Sequence, residues 1–240
     1  MKIIVSAAGF GQRFRDIGIT KPKYEIIANN KPLFYWALIS LKKFFDNEFI
    51  FIFRKEIYDE KFIKQQLKDL EINKYNIILL DEPTEGQASS VMKSNDYFND
   101  DEPFLIWNID THINPAALNE NIFANDGCII TTNALGDRWS FAQIDKDGFV
   151  SNVSEKIKIS DHASVGLYYF KSWNDFLYVY SNYKNDVMNK YGETYVCPFY
   201  QYLIDKKKKI SIFEIPLKDF ICLGTPDEIS EFDANWIKEN

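Results

Sequence analysis

The first eleven residues constrain the fold of this chain more than any other segment. Residues 2–6 are mostly apolar and β-branched, a pattern that predicts a buried β-strand. The residues that follow are Ala7, Ala8, Gly9, Phe10 and Gly11. Their glycines allow a tight turn and let backbone N–H groups approach a phosphate closely. A strand that runs into such a loop predicts an α/β fold with a phosphate-bearing ligand beside the loop.

Segments that favour strands alternate with segments that favour helices through the first half of the chain. Strands are predicted at residues 49–53, 76–80 and 104–107, and helices at residues 31–45, 59–70 and 86–97. A chain with this alternation forms right-handed crossovers and a mainly parallel sheet. We therefore predict a Rossmann-like, three-layer α/β/α fold with a mixed, mainly parallel sheet.

The second half of the chain carries shorter strand segments. Strands are predicted at residues 127–132, 141–145, 165–170 and 210–215, and helices at residues 173–183, at 194–205 and from 227 onwards. We expect these strands to form a small β-rich substrate lid. The sequence has no repeat and no linker rich in Gly, Pro or Ser. Residues 1–240 are therefore expected to form a single domain, with a nucleotide-binding half at 1–126 and an acceptor-binding half at 127–240.

Composition argues against several classes of partner. The formal charge of −7 argues against a nucleic-acid binder, which needs a basic face. No apolar run approaches the ~18 residues of a membrane span, so no membrane partner is expected. The three cysteines lie far apart without metal-ligand spacing, which favours reduced thiols in a soluble cytoplasmic protein. One loop is nevertheless basic, with Arg13, Arg15, Lys21 and Lys23 against a single Asp16. An acidic chain with one basic loop favours a small anionic ligand.

Two common phosphate-binding motifs do not fit this loop. A dinucleotide-binding fingerprint requires a third glycine where this chain has Phe14, and it requires a helix that begins at once. Residues 16–22 contain the helix breakers Gly18 and Pro22 instead. A P-loop ends in Gly-Lys-Ser/Thr, which is missing from this loop.

The strand, the loop with Gln12, Arg13 and Phe14, and the Lys21-Pro22-Lys23 segment together resemble the signature of the NTP-transferase family, which has a GT-A-like fold. The family includes sugar-1-phosphate nucleotidylyltransferases, among them small capsule-associated ones, and phosphocholine cytidylyltransferases. The resemblance implies that Arg13 and Lys23 are catalytic cations on the phosphates, because phosphoryl transfer needs positive charge where negative charge accumulates. It implies nucleotide contacts from Ala7, Ala8, Gly9, Gly11 and Gln12.

The strand predicted at residues 104–107 continues through Asn108 to Asp110. Ligands of open α/β sheets gather at the carboxyl ends of the strands, and a carboxylate there can hold Mg²⁺. The resemblance implies Asp110 as the catalytic metal ligand, Mg²⁺ as the cofactor and Asn108 as a nucleotide contact. The alternative is an aspartate that only turns the chain towards Asn114 and Pro115.

The segment at residues 81–88 resembles the family segment that ends in Thr-x-Gly and lies against the base. By this resemblance, Gly86 permits a close approach of the nucleotide. Gln87 offers an amide that can pair with a base edge. A helix cap by Thr84, with Gln87 three residues later, explains the same residues and stays open as an alternative.

In the second half, Glu155 and Lys156 followed by Ser164 and Gly166 resemble the sugar-phosphate branch of the family. The resemblance implies that Glu155 binds sugar hydroxyls, that Lys156 binds the acceptor phosphate, and that Ser164 and Gly166 lie beside the substrate. The segment at residues 193–200 also resembles part of small capsule-associated members.

One position departs from the family pattern. Cys222 stands where many relatives have an aspartate that is the second metal ligand. Cysteine is a poor ligand for Mg²⁺, which prefers oxygen. Three alternatives follow: the metal relies on Asp110, substrate phosphates and water, or Asp219 supplies the second carboxylate, or activity is lost.

The sequence therefore predicts a nucleotidyltransferase. It would transfer NMP from an NTP (CTP, UTP, dTTP or GTP) to a sugar 1-phosphate, release pyrophosphate, and so make an activated sugar for surface polysaccharide. A phosphoalcohol cytidylyltransferase, a GT-A glycosyltransferase and a non-catalytic nucleotide-binding regulator remain as alternatives. The base, the acceptor and the oligomeric state are not defined by the sequence, although the aromatic-rich second half is compatible with a homo-oligomer.

Overall fold

The computed structural model describes residues 1–98 and 101–240. Its strands are β1 (Lys2–Ala7), β2 (Ile27–Ala28), β3 (Lys31–Pro32), β4 (Glu48–Arg54), β5 (Tyr75–Leu80), β6 (Phe104–Asn108), β7 (Thr111–Ile113), β8 (Gly127–Thr132), β9 (Ser140–Ile144), β10 (Val150–Glu155), β11 (Ala163–Phe170), β12 (Ile210–Glu214) and β13 (Phe220–Cys222). Its α-helices are α1 (Gln12–Arg15), α2 (Leu33–Ile39), α3 (Glu60–Asp69), α4 (Gln87–Val91), α5 (Trp173–Tyr191), α6 (Phe199–Asp205), α7 (Pro226–Phe232) and α8 (Trp236–Glu239).

Within the described residues the main sheet has nine strands. The strands follow the order β10-β9-β11-β6-β1-β4-β5, with β8 paired to β11 and β12 paired to β8. The strands β5, β4, β1 and β6 are parallel to one another, whereas β11 is antiparallel to β6. The prediction of a mixed, mainly parallel sheet is confirmed. All four parallel strands end at one edge of the sheet, which is where their loops meet.

The sheet is covered on both faces because its central strands are apolar on both sides. In β4, Phe49, Phe51 and Phe53 face one core, which includes residues of α2 and α3, while Ile50 and Ile52 face the other, with residues of α4, α5 and α6. All five side chains are fully buried. Buried side chains of this size each contribute about 1.5–3 kcal/mol of transfer free energy, so these two cores hold the strand ends in fixed positions.

The helix predictions for the second half had wrong bounds. The helix predicted at 173–183 continues to Tyr191, where Gly192 ends it with a left-handed φ of 79°. The helix predicted at 194–205 begins only at Phe199. Residues 194–198 are not helical because Thr194 is bound to the backbone of residues 85–88, through Thr194 N to Glu85 O (2.8 Å) and Ala88 N to Thr194 O (2.9 Å).

Two further elements were not expected from the sequence. The strand β10 pairs with β9 as an antiparallel hairpin at the edge of the sheet. The strands β7 and β13 form a separate two-stranded sheet that places Cys222 opposite Thr111. Across the described residues, no helix has the length and apolar character needed to cross a bilayer.

Candidate functional site

The glycine loop lies between two strands that carry polar residues at their carboxyl ends. Since β1 pairs with β4 on one side and with β6 on the other, the loop after Ala7 has Arg54 to one side and Asn108 to the other. Gly11 begins α1 with a left-handed φ of 63°, a conformation that side-chain-bearing residues rarely adopt. The loop forms one wall of a cleft of about 800 Å³.

Most of the residues predicted to bind the nucleotide or act in catalysis meet in this cleft. The residues from the prediction that line it are Ala7, Ala8, Gly9, Gly11, Gln12, Arg13, Lys23, Gly86, Gln87, Asn108 and Asp110. They come from the loops after β1, β5 and β6 and from the segment before β2. Parallel strands thus bring together residues as far apart in the chain as Ala7 and Asp110.

The charged centre of the cleft is an ion pair between Lys23 and Asp110. The Lys23 Nζ donates to Asp110 Oδ2 at 2.9 Å and to the Gly224 carbonyl oxygen at 3.1 Å. Burial raises the pKa of Asp110, but the charge and hydrogen bond of Lys23, with the charge of Arg13, outweigh it and hold that pKa below its usual range. The Asp110 carboxylate is therefore ionised at neutral pH.

The donor set around Asp110 fits a divalent cation that takes one carboxylate from the protein. Mg²⁺ is commonly held by one or two carboxylates together with substrate phosphates and water. Cys222 is not a suitable second ligand, because burial and the charges of Asp110 and Glu228 raise the pKa of its thiol to about 12. In the described part of the chain, no group of three His, Cys, Asp or Glu side chains forms a metal cluster.

Asp219 does not lie beside Asp110 in the structure, so its position gives no support to the alternative that it supplies the second carboxylate. Its Oδ1 accepts a hydrogen bond from Asn114 Nδ2 at 2.8 Å, and its carbonyl oxygen accepts from Asn114 N at 2.8 Å. The antiparallel register of β7 and β13 explains this position, because Phe220 lies opposite Ile113 and Cys222 opposite Thr111. Asp219 therefore lies at the end of β7 that is remote from Asp110.

Gly86 and Gln87 also line the cleft. Gly86 has a φ of 143°, and a Cβ built on it would lie 2.6 Å from Thr194 N, so no side chain fits there. The Gln87 Nε2 donates to Asn108 Oδ1, which joins this segment to the end of β6. The alternative of a helix cap by Thr84 is wrong, since Gly86 is the N-cap residue of α4 and the Thr84 hydroxyl bonds Gly86 O and Ser90 Oγ instead.

The residues predicted to bind the acceptor lie outside this lining. Among the described residues that line the cleft, Glu155, Lys156, Ser164 and Gly166 are not found. Gly166 packs against one lining residue, because a Cβ built on it would lie 2.1 Å from Asn108 Nδ2. Ser164 is buried in β11 and its hydroxyl accepts from Gly166 N at 3.2 Å.

Glu155 and Lys156 differ in their surroundings. Glu155 is buried at the end of β10 and accepts a hydrogen bond from Ser140 Oγ; burial raises the pKa of its carboxyl despite that bond. Lys156 has a left-handed φ of 56°, and its Nζ donates to Tyr195 OH. Tyr195 OH in turn donates to Glu193 at 3.0 Å, and Glu193 lines the cleft. Lys156 is thus connected to the margin of the cleft through two side chains.

Sequence reasoning missed Glu228, which lies beside the charged centre. Its Oε2 accepts from Gly224 N at 2.7 Å, and its Oε1 lies 2.6 Å from Arg138 Nη2. The signal for it was present: Thr225 followed three residues later by a glutamate is a capping box, and Thr225 Oγ1 accepts from Glu228 N at 3.2 Å. Such a pattern predicts the start of α7 but not the nearness of Asp110.

The comparisons with known proteins agree with this geometry. The model of the nucleotidyl transferase family matches residues 2–213. A solved nucleoside-diphosphate-sugar pyrophosphorylase from Vibrio cholerae RC9 is similar at 31% identity and a TM-score of 0.88, with 97% of this chain and 99% of that chain covered. A search of curated proteins gave no significant match.

Two more distant solved structures share the fold. One is the inositol-1-phosphate CTP transferase from T. maritima, at 18% identity and a TM-score of 0.72, with 95% of this chain and 90% of that chain covered. The other is a putative glucose-1-phosphate thymidylyltransferase from Bacillus anthracis, at 16% identity and a TM-score of 0.75, with 100% and 96% covered. Since the family model spans most of the sequence, the chain belongs to the nucleotidyl transferase family.

Proposed function

We propose that this nucleotidyltransferase transfers NMP from an NTP to a sugar 1-phosphate and releases pyrophosphate. The observation that carries the proposal is the shared cleft, in which the glycine loop, the Lys23–Asp110 pair and the Gly86–Gln87 segment surround one space. The similarity to a nucleoside-diphosphate-sugar pyrophosphorylase over nearly the whole chain supports a sugar phosphate as the acceptor. The product would be an activated sugar, and surface polysaccharide synthesis is the use that we propose for it.

The nucleotide would bind along the wall from the glycine loop to Gln87. Backbone N–H groups of the loop and the side chains of Arg13 and Lys23 supply positive charge for the phosphates, and Gln87 supplies an amide for the base. Gln87 is already bound to Asn108, which orients its amide in the absence of any contact from the base. CTP, UTP, dTTP and GTP all remain candidate donors, because an amide can pair with either class of base.

Asp110 would hold Mg²⁺ in this proposal. When bound, the cation neutralises the charge that develops on the phosphates. The chain's own contribution is the ionised carboxylate of Asp110 and the ammonium of Lys23 beside it. No general base is needed, because the attacking oxygen belongs to a phosphate that is already anionic. The protein therefore acts by positioning the reactants and by charge neutralisation.

The acceptor would bind on the side of the second half. Lys156 would bind the acceptor phosphate and Glu155, with Ser164 and Gly166, would contact the sugar. The connection from Lys156 through Tyr195 to Glu193 gives this group a contact with the cleft. We propose that residues 1–126 and 127–240 act as the two halves of one domain. The three cysteines are free in the structure, which suits a cytoplasmic enzyme.

Pyrophosphate release tests the proposal. The protein would be assayed with Mg²⁺ and each of CTP, UTP, dTTP, GTP and ATP against a panel of sugar 1-phosphates and phosphocholine. We expect turnover with one sugar 1-phosphate and one NTP, and its loss in Asp110→Ala. Turnover with phosphocholine alone would replace the proposal by a phosphoalcohol cytidylyltransferase. Tight NTP binding without turnover on any acceptor would favour a non-catalytic regulator.

A further inference from the structure

A buried arginine lies on the other side of the glycine loop from Asp110. Arg54 ends β4, next to β1, and only 5% of the residue is exposed. Its Nη1 atom is buried and has no hydrogen-bond partner among the described residues. Its Nη2 atom contacts Glu56, whose side chain is mostly exposed. A buried guanidinium with an unsatisfied nitrogen is costly, so its retention at this place requires an explanation.

The ring of Phe10 covers this guanidinium. The Arg54 Cζ lies 3.8 Å from the centre of the Phe10 ring. Phe10 belongs to the glycine loop and lines the cleft, yet half of it is exposed to solvent. A phenylalanine in a glycine-containing loop, held by one cation–π contact of about 0.5–2 kcal/mol, can be displaced by a ligand that pairs with the arginine better.

The charges near Arg54 favour an anion. Burial and the like charge of Arg15 both lower the pKa of the Arg54 guanidinium, which stays protonated at neutral pH. Arg15 is on the exposed side of α1, close enough for its charge to act on Arg54. A phosphate between or beside the two would relieve the repulsion and satisfy Nη1, since arginine forms bidentate hydrogen bonds with phosphate oxygens.

The strand order separates Arg54 from the proposed acceptor residues. The second half joins the sheet through β11, which pairs with β6. Since β1 lies between β6 and β4, Arg54 is on the side of the loop remote from the proposed acceptor residues. In phosphoryl transfer the attacking and leaving oxygens lie roughly in line, so the leaving group points away from the acceptor.

We propose that Arg54 binds the pyrophosphate end of the NTP, and that Phe10 is a movable cover over it. This inference rests on the proposed function, but its test needs no acceptor and no turnover. The ligand class is a diphosphate or triphosphate, and not the single phosphate of an NMP or a sugar 1-phosphate.

The experiment is a titration calorimetry series with pyrophosphate, NTP, the matching NMP and glucose 1-phosphate, each with Mg²⁺. We expect Arg54→Gln to weaken pyrophosphate and NTP binding by about 10- to 100-fold, the worth of a charge-assisted hydrogen bond, while NMP and glucose 1-phosphate change less than about twofold. Arg54→Lys keeps the charge, so its affinity for pyrophosphate and NTP should lie between those of wild type and Arg54→Gln. The matched control is Lys55→Gln, which removes one positive charge from the next residue, an exposed one paired with Asp81.

Phe10→Ala provides a second test that keeps Arg54 in place. Without its cover, Arg54 should bind pyrophosphate about 2- to 10-fold more tightly. If Phe10→Ala weakened NMP binding and NTP binding equally, the proposal would be wrong. The contact between Phe10 and Arg54 would then serve to support the loop. An Arg54→Gln protein that binds pyrophosphate like wild type would overturn it as well. If wild type binds neither NTP nor pyrophosphate, the proposed function is wrong as well. If wild type binds both, a failure of the Arg54 and Phe10 tests concerns only the role of Arg54.

Discussion

The proposed nucleotide side and the proposed acceptor side of this protein are built in different ways. On the nucleotide side, Lys23, Gln87 and Asp110 are brought together because parallel strands with buried cores end at one edge. On the acceptor side, Glu155 and Lys156 lie at the end of an edge hairpin, and Lys156 is connected to the cleft through Tyr195 and Glu193. The first arrangement is fixed by the fold itself. The second depends on side-chain contacts between loops, which leaves it freer to differ among relatives that share the fold.

The largest expected effect of a substitution on the proposed nucleotide side is at Asp110. We expect Asp110→Ala to lower kcat/KM for pyrophosphate release by about 10³-fold, because it removes the ionised carboxylate and leaves Lys23 without its partner. Steady-state kinetics would measure the loss. The matched control is Asp219→Ala, the same substitution at the remote end of β7, which should stay within about threefold of wild type. Equal losses in both variants would mean that Asp110 has no special role.

A change at Lys156 should affect one substrate and spare the other. We expect Lys156→Met to raise the acceptor KM by about 10- to 100-fold while the NTP KM stays within about twofold, because in the proposed function this charge binds the acceptor phosphate and no part of the NTP. Two-substrate kinetics separates the two constants. Lys158→Met is the control, since Lys158 is nearby, partly exposed and paired with Asp161. If the NTP KM rose as well, the two sides would not be separate.

A substitution at Gly86 tests the close contact between Gly86 and Thr194, which joins the two sides. Gly86→Ala should lower the free energy of unfolding by about 1–3 kcal/mol more than Gly148→Ala does, as measured by urea denaturation. Both glycines have positive φ, but a Cβ at Gly86 would lie within 3 Å of the Thr194 backbone, whereas a Cβ at Gly148 would meet open space. Similar losses in the two variants would show that backbone strain alone, and not the contact, accounts for the effect.

The smallest expected effect is an opposite pH response of two carboxyl groups. The pKa of Asp110 is lowered in the folded state, so its contribution to stability is present above its ordinary pKa and is lost as the pH falls through the folded pKa. The pKa of Glu155 is raised, so the folded state loses stability as the pH rises from the ordinary value towards the raised one.

Denaturation curves at several pH values test both responses. The free energy of unfolding should fall less on acidification in Asp110→Asn than in wild type. Glu155→Gln should lose less stability than wild type as the pH rises above the ordinary pKa of a glutamate. Parallel curves for wild type and both variants would contradict this.

The same division explains what the sequence could predict. The parallel strands and the residues at their ends follow from local apolar runs, so Asp110 and the loop residues could be assigned to one sheet edge from the sequence alone. The start of α6 could not be predicted from local sequence. Residues 194–198 are not helical because Thr194 is hydrogen-bonded to residues 85–88, which are distant in sequence. Arg54 was missed for a similar reason: its burial depends on Phe10, and no local pattern reports that contact.

The close approach of Gly86 to Thr194 has a consequence for how such an enzyme can acquire a new specificity. The segment that carries Gln87 is hydrogen-bonded directly to the loop that carries Glu193 and Tyr195. A designer who exchanged that loop to admit another sugar would move the wall against which the base is expected to lie. Under the proposed function, an exchange of this whole loop would therefore change donor preference together with acceptor preference, whereas a single substitution at Lys156 leaves the backbone contact in place.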